Sequence, residues 1–549
     1  MLIIGGGVNG AGLFLDLALQ GVDVLLIDKS DYCTGSSAAS SRMIHGGLRY
    51  LEFGEFRLVK EALKDRNLLL QNAPHYVFPL PTTIPIFKWV SGAVSSVRKF
   101  LGLGGDRPAN RGAVMVKTGL MFYDIFTRKN RLMPKHKFTS RANALAKRPL
   151  LHPDVLMTAT YYDAWISYPE RLCIELLMDG QQLCQEADTL NYTTIQNASG
   201  ETVLLRDELS GETFEVKPKA IVNATGGWID FTNKQLGLET QLIGGTKGGH
   251  LVVDNEQLYH ALGGEMIYYE TADGRVAVAL PWLGKSLIGS TDIRVGNPDD
   301  VRCTEDEVDY ILESICQVFP TLNLDRSHIV SRFSGVRPLR HSDASATVQV
   351  SRDHHCEVIE PADDIKFPVY CMTGGKWTTF RAFAEQVTDR LLGYLDKTRR
   401  GGTTDLPIGG GRGFPKSNAA KRGWLADLHA RIDLPENRLS TLLERYGTRA
   451  EQMATFCTAE PDAPLQHHTG YTRREIEFII QHEGVMRPDD LVLRRTAIAL
   501  TGELLPELLR ELIAIMAPLR GWSEEDVQAE TERTADILQD RFGIDCRSA

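Results

Sequence analysis

Gly5, Gly7 and Gly10 fall at the G-x-G-x-x-G spacing at the very start of the chain, and Asp28 follows them one helix and one strand later. The chemistry these residue types suit is the holding of a dinucleotide. The first glycine permits a tight turn, the second lets a pyrophosphate approach the backbone, and the third lets a helix pack close to a strand. The acid can then hydrogen-bond ribose hydroxyls. A strand–helix–strand unit must carry them to that geometry. Leu2, Ile3 and Ile4 supply a short apolar strand, and Leu13, Leu15, Leu17 and Leu19 an apolar helix. The helix N-terminus presents unpaired N–H groups to a phosphate. Val22 to Ile27 supplies the second strand, ending on Asp28. These residues leave NAD and FAD open as the ligand. Only Met1 to Ile4 precede the glycines, so the first strand is expected to fray at its edge, or the start is misassigned.

The bulk composition narrows the remaining classes. A chain of 549 residues exceeds one hydrophobic core, and a catalytic body with an appendage is expected. Apolar content of 43% and charged content of 24% suit a globular protein and exclude a disordered or collagenous one. A net charge of −10 gives no global attraction to nucleic acid, so no nucleic-acid partner is expected and any membrane contact must come from a local patch. The nine cysteines contain no C-x-x-C pair, which indicates neither a zinc site nor a disulfide framework. No metal is expected, and a reducing compartment is. No apolar run reaches the roughly 18 residues that span a bilayer, and the N-terminus carries a folding motif in place of a signal peptide. The expected location is the cytoplasm, with peripheral attachment to the inner face of the cell membrane.

Further along, Thr34 to Tyr50 is rich in Ser and Gly and reads as a ligand-lining loop, and Phe56 to Leu70 as an amphipathic helix. From Lys88 to Arg141 twelve basic residues face only Asp106 and Asp124. Within it Trp89, Val90, Val94, Val97, Phe100 and Leu101 recur at helical spacing. That stretch suits either a membrane interface or a basic face solvated on the protein's own core. Thr158 to Val222 reads as short antiparallel strands turned at Ser199-Gly200 and Ser210-Gly211. Ala220 to Asn223 reads as a buried strand entering Ala224-Thr225-Gly226-Gly227, and Val369 to Met372 as another entering Thr373-Gly374-Gly375-Lys376. A helix from Thr379 through Leu392 follows, then a Gly-rich linker at 399–416. Residues 417–549 have helical periodicity throughout and read as a separate all-α domain. The fold class expected is a doubly wound α/β body over 1–398 with an inserted antiparallel sheet, followed by that helical domain.

Three strand-then-glycine turns, at Gly5, Ala224 and Gly374, resemble FAD-dependent oxidoreductases of the D-amino-acid oxidase type. Ser36 to Arg42 and the following His45-Gly46-Gly47-Leu48-Arg49-Tyr50-Leu51 narrow the resemblance to the FAD-dependent glycerol-3-phosphate dehydrogenases. Gly248-Gly249-His250, Ser334 to Leu339, Ser351-Arg352-Asp353, Gly374 to Arg381 and Leu491 to Thr496 carry it over almost the whole chain. Trp377 and Phe380 depart from the family pattern, where Leu-Thr-Thr-Tyr more often follows the lysine.

The resemblance implies FAD as cofactor and oxidation of a phosphorylated polyol's secondary alcohol to a ketone. It places the FAD against Gly5, Gly7, Gly10, Asp28, Ser36, Ser37, Ser41, His45, Gly46, Gly47, Thr225, Gly226, Gly375, Lys376 and Thr378. It assigns the substrate phosphate to Arg49, Tyr50, Arg337, Arg352 and Lys376, because arginine forks pair with phosphate oxygens. The catalytic set is His250, Arg337 and Lys376. His250 is the candidate base, His45 its competitor, and either is equally readable as a satisfied core histidine. Lys376 serves the flavin, the substrate or both. A membrane quinone is the implied electron acceptor and molecular oxygen the rival. A tetritol phosphate is the rival substrate, suggested by Trp377 and Phe380. A non-catalytic flavin-binding regulator at a membrane surface is the rival class, and a homodimer is carried as an open expectation.

Overall fold

The computed structural model describes residues 1–48, 50, 55–89, 113–128, 132–341, 353–362 and 364–547. Arg49, Arg352 and the 90–101 part of the basic amphipathic stretch lie outside the described residues.

The strand Leu2–Ile4 sits inside a six-stranded sheet ordered His355–Ile359, Val369–Thr373, Ile221–Asn223, Leu2–Ile4, Val24–Ile27, Ala187–Leu190. It pairs parallel on both sides, Leu2 opposite Ile221 and Leu25. The expectation of a fraying edge is thus corrected: three buried residues suffice because both flanking ladders satisfy their backbone. Only His355–Ile359 runs antiparallel, at the edge.

The helix Val8–Leu19 covers one face of this sheet, between the helices Pro169–Leu183 and Phe380–Tyr394. Small residues set those approaches. A Cβ on Gly12 would lie 2.6 Å from the Phe380 ring, and one on Gly180 2.5 Å from the Phe14 ring. Phe14, Leu172, Phe383 and Val387 fill the seam. Pro169–Leu183 interrupts the stretch expected to be strands only; Pro169 in its first turn and Leu172, Cys173, Leu176 and Leu177 at helical spacing make it a helix packed beside Val8–Leu19. The other face carries a three-stranded antiparallel sheet, Thr193–Ser199, Thr202–Asp207 and Thr213–Val216, whose turns fall at the two Ser-Gly pairs.

A second, larger sheet is mostly antiparallel. Its spine runs Thr246–Val253, Lys285–Gly289, Val276–Trp282, Met266–Glu270, Val77–Ile86, Met157–Ile166, and Ile329–Arg337 pairs along Thr246–Val253. From Asn418 onward the described elements are helices. Their core is not closed on itself. Leu442, Ile479, Leu508 and Leu512 belong to one continuous apolar cluster with Leu80, Leu280, Trp282, Leu287 and Phe333 of the large sheet.

The segment 399–416 is fastened along its length. Arg399 pairs with Asp16 at 2.8 Å, and the Gln20 side chain accepts the Arg400 N–H at 2.7 Å. Asn72 donates to the Thr404 carbonyl at 2.8 Å, and Gly409 donates to Asp179 at 2.7 Å. Among the described residues no helix is long and apolar enough to cross a membrane.

Candidate active site

The first glycine turn opens a cleft of about 540 Å³. Gly5 has φ +106°, and a Cβ there would meet the Ala224 carbonyl oxygen at 2.8 Å. A Cβ on Gly10 would stand 1.9 Å from the Gly5 oxygen, which forces glycine where helix and turn touch. Gly7 is different: its hypothetical Cβ meets only Ser37 Oγ, at 3.2 Å, so it looks onto open cleft. The helix begins there without an acidic residue in its first turn, and the Val8 N–H donates to Ser37 Oγ at 3.0 Å. An anion at this terminus meets N–H groups and no opposing carboxylate. Asp28 accepts the Gly6 N–H at 2.7 Å and the Ser30 N–H at 3.0 Å, and burial pushes its pKa up to about 6. Each of its oxygens retains a lone pair for a ribose hydroxyl. The cradle therefore fits the adenosine diphosphate part of FAD.

Val8, Asn9, Ser36, Ser37 and Pro338 line this cleft and also a second cavity of about 240 Å³, making the two continuous. His45, Tyr50, His250, Arg337 and Lys376 converge on the second. Three glycine-bearing segments bring them there: the loop after Ser36, the paired strands Thr246–Val253 and Ile329–Arg337, and the turn Gly374-Gly375. Lys376 stands at the mouth of the helical run that becomes Phe380–Tyr394, with Nζ 3.9 Å from the Tyr50 ring centre. His250 is 2% exposed, stacked 5.2 Å from Phe333, with Nε2 2.7 Å from Ser41 Oγ. Burial first, then the Arg337 and Arg42 charges, lower its pKa to about 3, so the ring is neutral at physiological pH. The Arg337 fork donates to Asp292 (3.1 Å), Ser290 Oγ (2.8 Å) and the Thr291 carbonyl (3.0 Å).

Several hydroxyls expected to touch cofactor also hold the walls together. Ser36 donates to the Val336 carbonyl, Thr225 to Asn223 Oδ1, and Thr378 accepts the His45 N–H at 3.1 Å. Ser41, expected with the cofactor set, lines the second cavity beside His250. Gly46 backs the loop, its N–H donating to Asp163 at 3.0 Å, and Gly47 packs beneath Tyr50. Phe380 is turned away from the cavity, packed against Gly12 at 2% exposure, whereas Trp377 lines it and donates to the Ser37 carbonyl at 3.2 Å. Only one of the two aromatic departures thus shapes the pocket; helix phase carries Phe380 to the core side.

Residues that no motif marks also contribute. Asn9 lines both cavities, and a buried set of Arg66, Tyr123 and Asp163 supports Gly46 from behind. Asn9 sits at a variable position of the glycine pattern. Asp163 lies in a strand distant in sequence, so no spacing rule links it to the loop.

A family model described as FAD dependent oxidoreductase matches residues 1–390, and one described as the C-terminal domain of alpha-glycerophosphate oxidase matches 402–527. A glycerol-3-phosphate dehydrogenase of Synechocystis is 31% identical over 98% of this chain and 96% of its own length. The aerobic glycerol-3-phosphate dehydrogenase of Escherichia coli is 28% identical over 90% of this chain and 93% of its own. Among solved structures, the glycerol-3-phosphate dehydrogenase of Bacillus halodurans complexed with FAD superposes with TM-score 0.74 at 22% identity, covering 98% of this chain and 94% of that one. Glycine turns, a dinucleotide cleft and full-length similarity agree: the chain belongs to the FAD-dependent oxidoreductases, within their glycerol-3-phosphate dehydrogenase family, and FAD is its cofactor.

Proposed function

We propose that the chain oxidises sn-glycerol 3-phosphate to dihydroxyacetone phosphate and passes the electrons to a membrane quinone. The observation that carries this is the convergence of Lys376, Arg337, His250 and Tyr50 on one cavity continuous with the dinucleotide cleft. The named relatives support the substrate.

Gly5, Gly7 and Asp28 would hold the dinucleotide end of FAD, and the cofactor so held would supply hydride-accepting chemistry for the alcohol carbon. Lys376 and Arg337 supply the positive charge that draws a phosphate dianion into the cavity, with Arg49 and Arg352 as further candidates for the same task. Neutral His250 takes the hydroxyl proton at Nε2, the nitrogen beside Ser41. Burial first, and the Arg337 charge second, depress its basicity, and a phosphate dianion held by Arg337 offsets the second of these. His45 stands on the same cavity as the alternative base. The carbon loses a hydride and the oxygen a proton, leaving a ketone.

The acceptor reading draws support from the helix Ala113–Phe126. Val114, Met121, Phe122 and Ile125 are exposed on it, near exposed Trp89 and Leu132, and Lys117, Arg128, Lys135 and Lys137 stand exposed around them. Apolar groups rimmed by cations suit the interface of an anionic bilayer.

Anaerobic addition of glycerol 3-phosphate is expected to bleach the yellow protein, faster than any four-carbon polyol phosphate does; an unbleached flavin would sink the proposal. Bleaching favouring the four-carbon compound would move the substrate, and turnover with oxygen alone would move the acceptor. Cosedimentation with anionic vesicles should fall severalfold in Met121→Glu and Ile125→Glu, and unchanged binding removes the membrane part.

A further inference from the structure

The helical region after Asn418 takes no part in the chemistry above, yet it lines the dinucleotide cleft, which His250 and Lys376 do not. Beside Asp28 the cleft is lined by Lys29, Ser30 and Tyr192, and the tail lines the same cleft with Asp489, Leu493, Arg494, Arg533, Ile537, Arg541 and Phe542. In this fold the acid ending the second strand marks the ribose, so what lies beyond it borders the adenosine.

The contact between tail and body is built, not incidental. Asp31, 0% exposed, accepts two bonds from Arg495, at 2.7 and 2.8 Å, and a third from Arg494. Arg494 continues to Asp490 at 2.7 Å, which accepts the Tyr192 hydroxyl at 2.7 Å. Nearer the mouth, Arg302 holds Asp540 at 2.6 Å, bringing Arg541 and Phe542 to the rim. Facing them, Asp299 ties Lys29 at 2.9 Å to the Trp228 indole at 2.8 Å. The tail's surface here offers Leu493, Ile537 and Phe542 as apolar groups on which an adenine can pack, with Arg541 at the rim, while Arg494 and Arg533 are held by Asp31 and Asp489.

We propose that the C-terminal helical region is the outer wall of the adenosine half of the FAD site, and that it makes the chain select a dinucleotide over a flavin mononucleotide. The proposal rests on the FAD reading above. Arg541→Ala and Phe542→Ala alter the wall while leaving the Asp31–Arg495 pair in place. FAD release from diluted holoenzyme, followed by flavin fluorescence, is expected to quicken about tenfold in Phe542→Ala and by a smaller factor in Arg541→Ala. The deflavinated full chain is then titrated with FAD and with flavin mononucleotide. The preference for FAD should fall by a like factor, with mononucleotide affinity unchanged. Unaltered release and preference in both variants overturn the proposal, and so does equal weakening of both flavins, which marks general loosening. A parent chain that binds neither flavin overturns the FAD reading and this wall with it; a parent that holds FAD beside unaffected variants overturns the wall alone.

Discussion

His250 shows how environment, and not residue type, sets a group's chemistry. A free imidazole titrates near neutrality, but here burial and two arginines bring the pKa to about 3. The unfolded chain therefore binds this proton between about pH 6.5 and about pH 3 while the native one does not, so folding stability rises with pH across that window. Denaturant midpoints of His250→Asn should show a shallower pH dependence there than the parent. The same variant should slow anaerobic flavin reduction about 10²- to 10⁴-fold while keeping its FAD, if the ring takes the substrate proton. Loss of FAD in step with the rate would assign it a packing role. Lys376→Met should raise the half-saturating glycerol 3-phosphate concentration about tenfold or more through a lost charge-assisted contact. An unchanged value in stopped-flow reduction removes Lys376 from the phosphate site.

At the scale of elements, the three glycines of the opening turn are unequal. Gly10 is locked against the Gly5 oxygen at a hypothetical Cβ distance of 1.9 Å, so Gly10→Ala must push the helix off its strand. Overpacking of that kind costs about 3 kcal/mol, measurable as a lowered unfolding free energy even without flavin. Gly7 faces the cleft, and Gly7→Ala should leave the flavin-free stability within about 1 kcal/mol while weakening FAD binding, read by flavin fluorescence. The G-x-G-x-x-G spacing made the turn legible in the sequence because Gly10 must clear the nearby Gly5 oxygen and Gly7 must leave the helix N-terminus open to the cleft. The helix Pro169–Leu183 was not legible in the same way. Its buried residues mix Leu172, Leu176 and Leu177 with Glu170, Arg171, Glu175 and Asp179, and those charges read as a solvent face until Arg42, Glu483, His75 and Arg449 are brought to them by the fold.

Across the whole molecule, one apolar cluster joins the tail helices to the large sheet and a buried ion cluster joins the tail to the cofactor cleft. Removing one member of such a cluster strands its partner's charge away from water. Arg495→Ala is expected to cost about 3–5 kcal/mol in chemical denaturation. Because the cores are continuous, calorimetry of the parent should show body and tail melting in one transition. Two separated transitions would show that the shared cluster does not couple them.

The amino-acid sequence by itself determined the dinucleotide turn, the strand before it and the helix and strand after it, and the family, because these rest on local sterics and on motifs read in line. The meeting of His250 with Ser41, the turning of Phe380 into the core beside Trp377's place on the cavity, the fastening of 399–416 and the reach of the tail to the FAD cleft were decided only by tertiary structure. Each depends on a contact between segments up to hundreds of residues apart, such as Asp31 with Arg495, and the energy of such a contact lies in desolvation and packing that no spacing along the chain encodes.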